Sequence, residues 1–536
     1  STALRRRVPR FESSRGRFTA GPAGEPITPG SPCLTETTAV PVRRAHRTKW
    51  AVILVLVFTA TRSLNVLLWK IPQGTFVQND VSYYGYWLWC LLGDGSRDLK
   101  CTTALVSSGV MVEYPLPAVW FLELLYTLGG GHPWWLPLLL SGAAMIGVAL
   151  LTALWVWGRR RLAFWGGTTL IVLLIAVWFT ASLPYRGTAF NSWLPVFALS
   201  MLLLDGVVAV MLFRHGSVGA SVFWILFIGA CGPIVWFRFD MLTAAAVALA
   251  CLWLNRHPAA SGALLGLGAS IKLWPALLIA PMSAPVSLHA GRGRYRLIGF
   301  AVTGFALGLA SLLVGGWTRS VSPLTWQSNR GLQMESVPAT PLIFLRTFTK
   351  IPAWQVELSE YNAIEFRGPG IDTLLGLSTF LTVGSILLTV VLTWRLLRKF
   401  RSGDENLAQA ILLSVLAVVL ATVIANKTLS TQYVQWLAGP LAALLGLGTN
   451  SWLKRPRRVL AIGMVIIAVL TQYTYPWGTM GIMAIPNGSG FESSTLIARN
   501  VLLVILMGFT AGLAWRATSC PRPGRGSLSC SSGEEA

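Results

Sequence analysis

The stretch Trp50–Lys70 reads WAVILVLVFTATRSLNVLLWK, and after a short turn the chain continues Val77-Gln78-Asn79-Asp80-Val81-Ser82-Tyr83-Tyr84. An apolar run of about 20 residues is long enough to cross a bilayer once as a helix. Asp80 follows where such a helix meets water, beside aromatic residues. A carboxylate there is costly to retain and marks a functional position. Similar runs recur from there to about residue 516 of a 536-residue chain that is 54% hydrophobic and only 12% charged, with mean hydropathy +0.61. Soluble domains carry about 25% charged residues. The expected class is one all-α polytopic integral membrane domain.

The net charge of +23 does not describe a nucleic-acid-binding surface. The arginines sit on no single face; they punctuate the ends of alternate apolar runs, which is the positive-inside pattern. Residues 1–49 contain Arg5, Arg6, Arg7, Arg10, Arg15, Arg17, Arg43, Arg44, Arg47 and Lys49, much Gly, Pro and Ser, and no apolar run. They read as a disordered basic cytoplasmic tail. The first apolar segment lies too far in and is too long for a signal peptide. Residues 50–516 form the membrane domain, and 517–536 a second disordered cytoplasmic tail.

The clusters thread the chain. Arg159 to Arg161, Arg214-His215, Arg256-His257, Arg292 to Arg296, Arg395 to Arg401 and Lys454 to Arg458 fall inside. Segments 184–190, 236–240, 317–370, 427–433 and 475–494 then fall outside. Residues 134–157 read as a span, whereas Tyr114 to Gly131 reads as an interfacial helix or a further short span. The expected total is about 12 to 14 spans. Segments 219–237, 240–254 and 259–288 are short or proline-broken and include candidate half-spans.

This threading gathers Asp80, Tyr83, Tyr84, Glu113, Tyr185, Arg186, Arg238, Asp240, Arg330, Glu335, Gln432 and Tyr433 on the extracytoplasmic side, where loops 71–133 and 317–370 form the site. Lys272 lies inside an apolar run near the outer end of its helix. It is either a functional intramembrane cation or a snorkelling lysine. Arg238 and Asp240 are either site residues or a satisfied pair at a helix turn. Many of the 24 tryptophans lie near the same boundary, among them Trp87, Trp134, Trp135, Trp326 and Trp436, as in any aromatic belt.

Such an inventory suits transfer from a lipid-linked phosphosugar. A carboxylate takes the proton from an acceptor hydroxyl, cations hold the phosphate as it leaves, and aromatic rings flank the sugar or the isoprenoid. The outer loops contain no Asp-x-Asp motif and no His/Cys cluster, so no metal or other cofactor is expected. No Gly-rich phosphate loop follows a strand, which disfavours a nucleotide-sugar donor.

Five blocks resemble glycosyltransferase family 87, of the GT-C superfamily of integral membrane enzymes, over roughly residues 50–480. They are Asp80 with Tyr83 and Tyr84; Glu113-Tyr114-Pro115-Leu116-Pro117; Arg238-Phe239-Asp240, Gly262 to Gly268 and Lys272-Leu273-Trp274-Pro275; Arg330 to Ser336; and Leu429 to Trp436. Leu116 interrupts what is often a double proline in related proteins. The resemblance implies a GT-C fold on the bacterial plasma membrane with an extracytoplasmic site. It implies inverting transfer of a sugar, mannose favoured and arabinofuranose the alternative, from a polyprenyl-phosphate donor to a glycolipid or cell-envelope glycan. Asp80 would be the general base. Lys272, Arg238 and Arg330 would bind the donor phosphate. Tyr83, Tyr84, Glu113, Asp240, Glu335, Gln432 and Tyr433 would bind substrate, with Glu335 orienting Arg330 or holding a sugar hydroxyl. A lipid-linked-sugar flippase is the alternative of another class, although no internal repeat of the transporter kind is visible.

Of seven cysteines, Cys90 and Cys101 share the first outer loop and an oxidising space. They form either a disulfide that pins the loop carrying Asp80 or two free thiols. Cys33, Cys520 and Cys530, in the tails, are expected to be reduced.

Overall fold

The computed structural model describes residues 39–91, 98–107, 109–129, 166–167, 193–285, 292–401, 407–448 and 450–519. The expected span 134–157, Arg159 to Arg161, Trp134, Trp135, Tyr185, Arg186, the tails before residue 39 and beyond 519, and their three cysteines lie outside these residues. The chain divides into units Ser1–Ala51 and Val52–Ala536. Of the first, only the opening turns of a helix are described; every other described element belongs to the second.

The described residues are overwhelmingly helical. The helices are α1 (Ala39–Lys70), α2 (Asn79–Leu91), α3 (Leu99–Ser107), α4 (Leu116–Gly129), α5 (Leu194–His215), α6 (Val218–Ala230), α7 (Asp240–Leu252), α8 (Pro258–Ile271), α9 (Ile279–Met282) and α10 (Arg292–Asn329). They continue as α11 (Thr340–Phe344), α12 (Ile371–Arg401), α13 (Ala408–Ala425), α14 (Ala438–Gly446), α15 (Lys454–Gln472), α16 (Thr479–Met483) and α17 (Gly490–Ala517). Among the described residues seven helices are long and apolar enough to cross a membrane, and α4, α6, α7 and α8 are shorter apolar helices. The protein is an all-α polytopic membrane protein.

Three boundaries differ from the sequence reading. The first helix starts at Ala39, inside the stretch expected to be a disordered tail. Residues 317–329, expected in a loop, continue α10 beyond a break at Gly316, where φ is 69°; glycine adopts that conformation without steric cost. The same expected loop holds an antiparallel hairpin of β1 (Gln355–Leu358) and β2 (Ile364–Arg367). Leu332, Met334, Phe366, Ile482 and Leu496 bury against one another beneath it, a satellite core that fixes the loop.

Helix packing follows membrane rules. Gly262 of α8 and Gly299 of α10 lie where the two helices touch so closely that a Cβ on Gly262 would overlap Arg296 O and one on Gly299 would overlap Ala259 O. Small residues permit this approach where no water drives association. A buried ion pair ties α1 to α5: Arg62 Nε and Nη2 each donate to the Asp205 carboxylate at 2.8 Å. Trp224 Nε1 of α6 donates to the same carboxylate at 2.8 Å, and Arg62 Nη1 donates to Ile225 O at 2.7 Å. In a low-dielectric setting a pair this complete replaces the lost hydration of both charges.

The long helices run between two kinds of end. Arg256 meets His215 at 3.1 Å, Arg296 donates to Leu254 O and Ala284 O at 2.6 Å, Ser217 to Leu445 O at 3.1 Å and Arg457 to Leu444 O at 2.8 Å. Lys399 donates to Ala517 O at 2.7 Å. At the opposite ends of α5, α8 and α15 lie Trp193, Lys272 and Tyr473.

Candidate active site

Asp80 is the second residue of α2, in the first turn, where a negative charge complements the helix dipole. It follows the tight turn Pro72–Gln78, whose Val77 O accepts from Arg238 Nη1 at 2.9 Å. The same nitrogen donates to Phe237 O at 3.0 Å. Held in this way, Arg238 brings Nε to 2.8 Å from Asp80 Oδ2. The N–H is not aimed along that line, so the contact is an ion pair rather than a hydrogen bond. The two side chains differ in access: Arg238 is 6% exposed and Asp80 25%. Burial works against the guanidinium charge, yet the Asp80 carboxylate holds Arg238 above its usual value.

Around this pair lies a wall of rings. Tyr84 packs edge-on to Tyr114, with centroids 5.6 Å apart, and Tyr114 edge-on to Phe239 at 5.2 Å. Tyr83 OH donates to Glu113 Oε1 at 2.7 Å. Burial raises the Glu113 carboxyl above its usual range, and burial followed by the Glu113 charge raises the Tyr83 phenol. The turn bearing Glu113 is clasped by α10 beyond its break. Arg319 donates to Tyr114 O and Met111 O, each at 3.0 Å, and Ser322 to Val112 O at 2.8 Å.

Arg238 and Asp240 do not pair with each other. Asp240, almost completely buried, accepts from Lys272 Nζ on both oxygens at 2.8 and 2.7 Å and from Trp436 Nε1 at 2.9 Å. Lys272 caps the C-terminus of α8, where the chain turns extended. Its ammonium lies 4.8 Å from the Phe239 ring centre and 5.0 Å from that of Tyr433. Trp436 is stacked between Tyr433 and Trp274, at 4.2 and 4.5 Å. Lys272 is therefore a charge-compensated cation in an aromatic box. Gln432 is half-buried beside Tyr433.

Arg330 and Glu335 diverge. Arg330 Nε is 3.9 Å from Glu365 Oε1 of the hairpin, and Lys427 Nζ donates to Arg330 O at 2.6 Å. Glu335 is buried and interacts instead with Arg499, the Thr431 amide and Arg238. Burial pushes its carboxyl up to about 7 although those three groups favour the charged form. Tyr475 is coupled to Arg238, Asp80 and Glu335 together. Cys90 of α2 and Cys101 of α3 are joined as a disulfide, with Cα atoms 5.3 Å apart, which fastens the helix carrying Asp80.

The sequence reading missed Arg62, Asp205, Tyr475 and Arg499. Three of them carried a usable signal, since Arg62, Asp205 and Arg499 are ionisable residues inside apolar runs, the criterion that selected Lys272.

Fold and family comparison together define the class, a glycosyltransferase built on membrane-spanning helices. Residues 171–424 match the model of glycosyltransferase family 87. The matched segment includes Arg238, Asp240, Lys272, Arg330 and Glu335; Asp80, Glu113, Tyr433, Tyr475 and Arg499 lie outside it. No curated protein and no solved structure matches the chain.

Proposed function

We propose that the protein is an inverting glycosyltransferase that moves a sugar, mannose in the favoured case, from a polyprenyl phosphate to a glycolipid or cell-envelope glycan. The reaction takes place on the extracytoplasmic face of a bacterial plasma membrane. The observation that carries the reading is the accessible Asp80 carboxylate held by a buried, doubly anchored Arg238. The acceptor hydroxyl oxygen attacks the anomeric carbon from the face opposite the phosphate, and its proton passes to Asp80. The bond from carbon to phosphate oxygen breaks with its electron pair on the phosphate. Polyprenyl phosphate is the leaving group, and the anomeric configuration inverts.

Arg238 is the cation beside the base and so the first candidate for the developing phosphate charge. Lys272 and Arg330 are further candidates; a phosphate would compete for them with Asp240 and Glu365. The extracytoplasmic assignment is supported by the basic ends gathering at the far termini of the helices that lead to Asp80. Purified protein is incubated with polyprenyl phosphomannose or polyprenyl phosphoarabinose and a glycolipid acceptor. Release of polyprenyl phosphate with a glycosylated acceptor is expected from the mannose donor. Transport of intact donor across a vesicle without release would replace the enzyme reading by a flippase.

A further inference from the structure

Arg499 is fully buried in α17, beyond the matched segment and outside every motif read from the sequence. It donates from Nη2 to Glu335 O, while its Nε and Nη1 have no partner. Glu335 Oε2, equally buried, also has none. No nitrogen of Arg499 comes within ion-pair distance of the Glu335 carboxylate among the described residues, yet the two charges are coupled. The next residue, Asn500, donates from Nδ2 to Ser336 O at 3.2 Å and Thr340 Oγ1 at 2.8 Å. Thus α17 grips the 335–340 turn at two adjacent positions, one charged and one neutral.

The groups facing Glu335 are Arg499 from α17, Arg238 from the bend before α7, Tyr475 from the turn after α15 and the Thr431 amide. Asp80 lies on the other side of Arg238. Arg238 therefore acts on two carboxylates, Asp80 in ion-pair contact and Glu335 at longer range, and Arg499 is a second cation acting on Glu335. An unpaired buried charge is expensive. Without Arg499, Glu335 would either take up a proton or compete with Asp80 for Arg238.

We propose that Arg499 is a positioning residue for the transfer reaction: by fixing the Glu335 turn and balancing the Glu335 charge, it leaves Arg238 committed to Asp80. The proposal deepens the functional reading above and rests on it for its catalytic meaning, but its physical content can be tested without substrate. Protonation of Glu335 is followed in the full-length protein in detergent by infrared difference spectroscopy, the carboxyl band being assigned by its loss in Glu335→Gln. In Arg499→Gln the titration should move at least tenfold in proton concentration towards higher pH, because the balancing cation is gone, and Arg499→Lys should restore most of it. Asn500→Ala removes the neutral grip on the same turn; it should lower the melting temperature and leave the titration in place.

In the transfer assay Arg499→Gln should lower turnover about tenfold or more. Adding Glu335→Gln should recover part of that loss, since no carboxylate is then left to compete for Arg238. An unmoved Glu335 titration in folded Arg499→Gln overturns the proposal whatever the enzyme transfers. So do strictly additive losses in the double variant. If Arg499→Gln does not fold, Arg499→Met, an uncharged replacement of similar length, supplies the titration readout, and the double variant, which has no Glu335 carboxyl to titrate, supplies turnover. Inactivity of the wild type towards every donor would remove the functional reading and leave the titration result standing.

Discussion

Arg238 turns Nε to within 2.8 Å of Asp80 Oδ2 while the carbonyl oxygens of Val77 and Phe237 hold its Nη1. The carboxylate is thus oriented by a cation that cannot swing away, and its other face remains accessible. Asp80→Asn keeps the size and removes the basicity. Turnover should fall by about two orders of magnitude or more in protein that still folds, although the melting temperature drops because the buried Arg238 loses its counter-charge. Near-normal turnover in the folded variant would remove Asp80 from the role of base.

Lys272 and Asp240 form a bidentate pair with Asp240 almost wholly buried. Lys272→Ala leaves that carboxylate without its cation and should cost about 3–5 kcal/mol of stability. The double change Lys272→Met with Asp240→Asn should recover most of it, because no isolated charge remains. Thermal unfolding in detergent makes the comparison. A stable Lys272→Ala protein with weakened donor binding would instead identify Lys272 as a phosphate ligand.

The Arg62–Asp205 pair joins α1 to α5 away from the site. Asp205→Ala should destabilise by about 3–5 kcal/mol. Turnover per folded molecule should stay near wild type, since neither residue reaches Asp80. A variant that unfolds normally yet fails to turn over would contradict a purely architectural role.

Glu335 predicts a pH dependence. Its folded value, about 7, lies above the ordinary value of 4.5, so the folded chain holds that proton more tightly than the unfolded one. The stabilisation is complete below about 4.5 and is lost as pH rises through about 7. The stability difference between wild type and Glu335→Gln should therefore shift against the wild type across this window. A difference that does not vary with pH would mean that the buried carboxyl is not protonated there.

Threading can be checked by labelling. Single cysteines at the exposed positions Asn329 and Glu360 should react with an impermeant thiol reagent added outside the cell. Cysteines at Arg398 and Arg458 should react only after permeabilisation. The opposite pattern would invert the side assigned to the site.

Composition and run length determined the membrane class, because transfer from water to lipid depends on local composition and needs no knowledge of contacts. The same local logic drew attention to Asp80, Lys272 and the short broken helices around residues 218–282. The partners of these charges could not be read in this way. Arg238 and Asp240 are two residues apart and read either as site residues or as a pair with each other, but folding sends one to Asp80 and the other to Lys272. Arg330 and Glu335 stand in one motif, yet the first faces the hairpin and the second faces α17. Charge pairing is decided by distance in space, and the distances between residues 80 and 238, or 335 and 499, exist only after the helices have packed. The sequence by itself therefore determined which groups are expensive to bury; the tertiary structure decided which of them offset one another and left the Asp80 carboxylate partly accessible beside its buried cation.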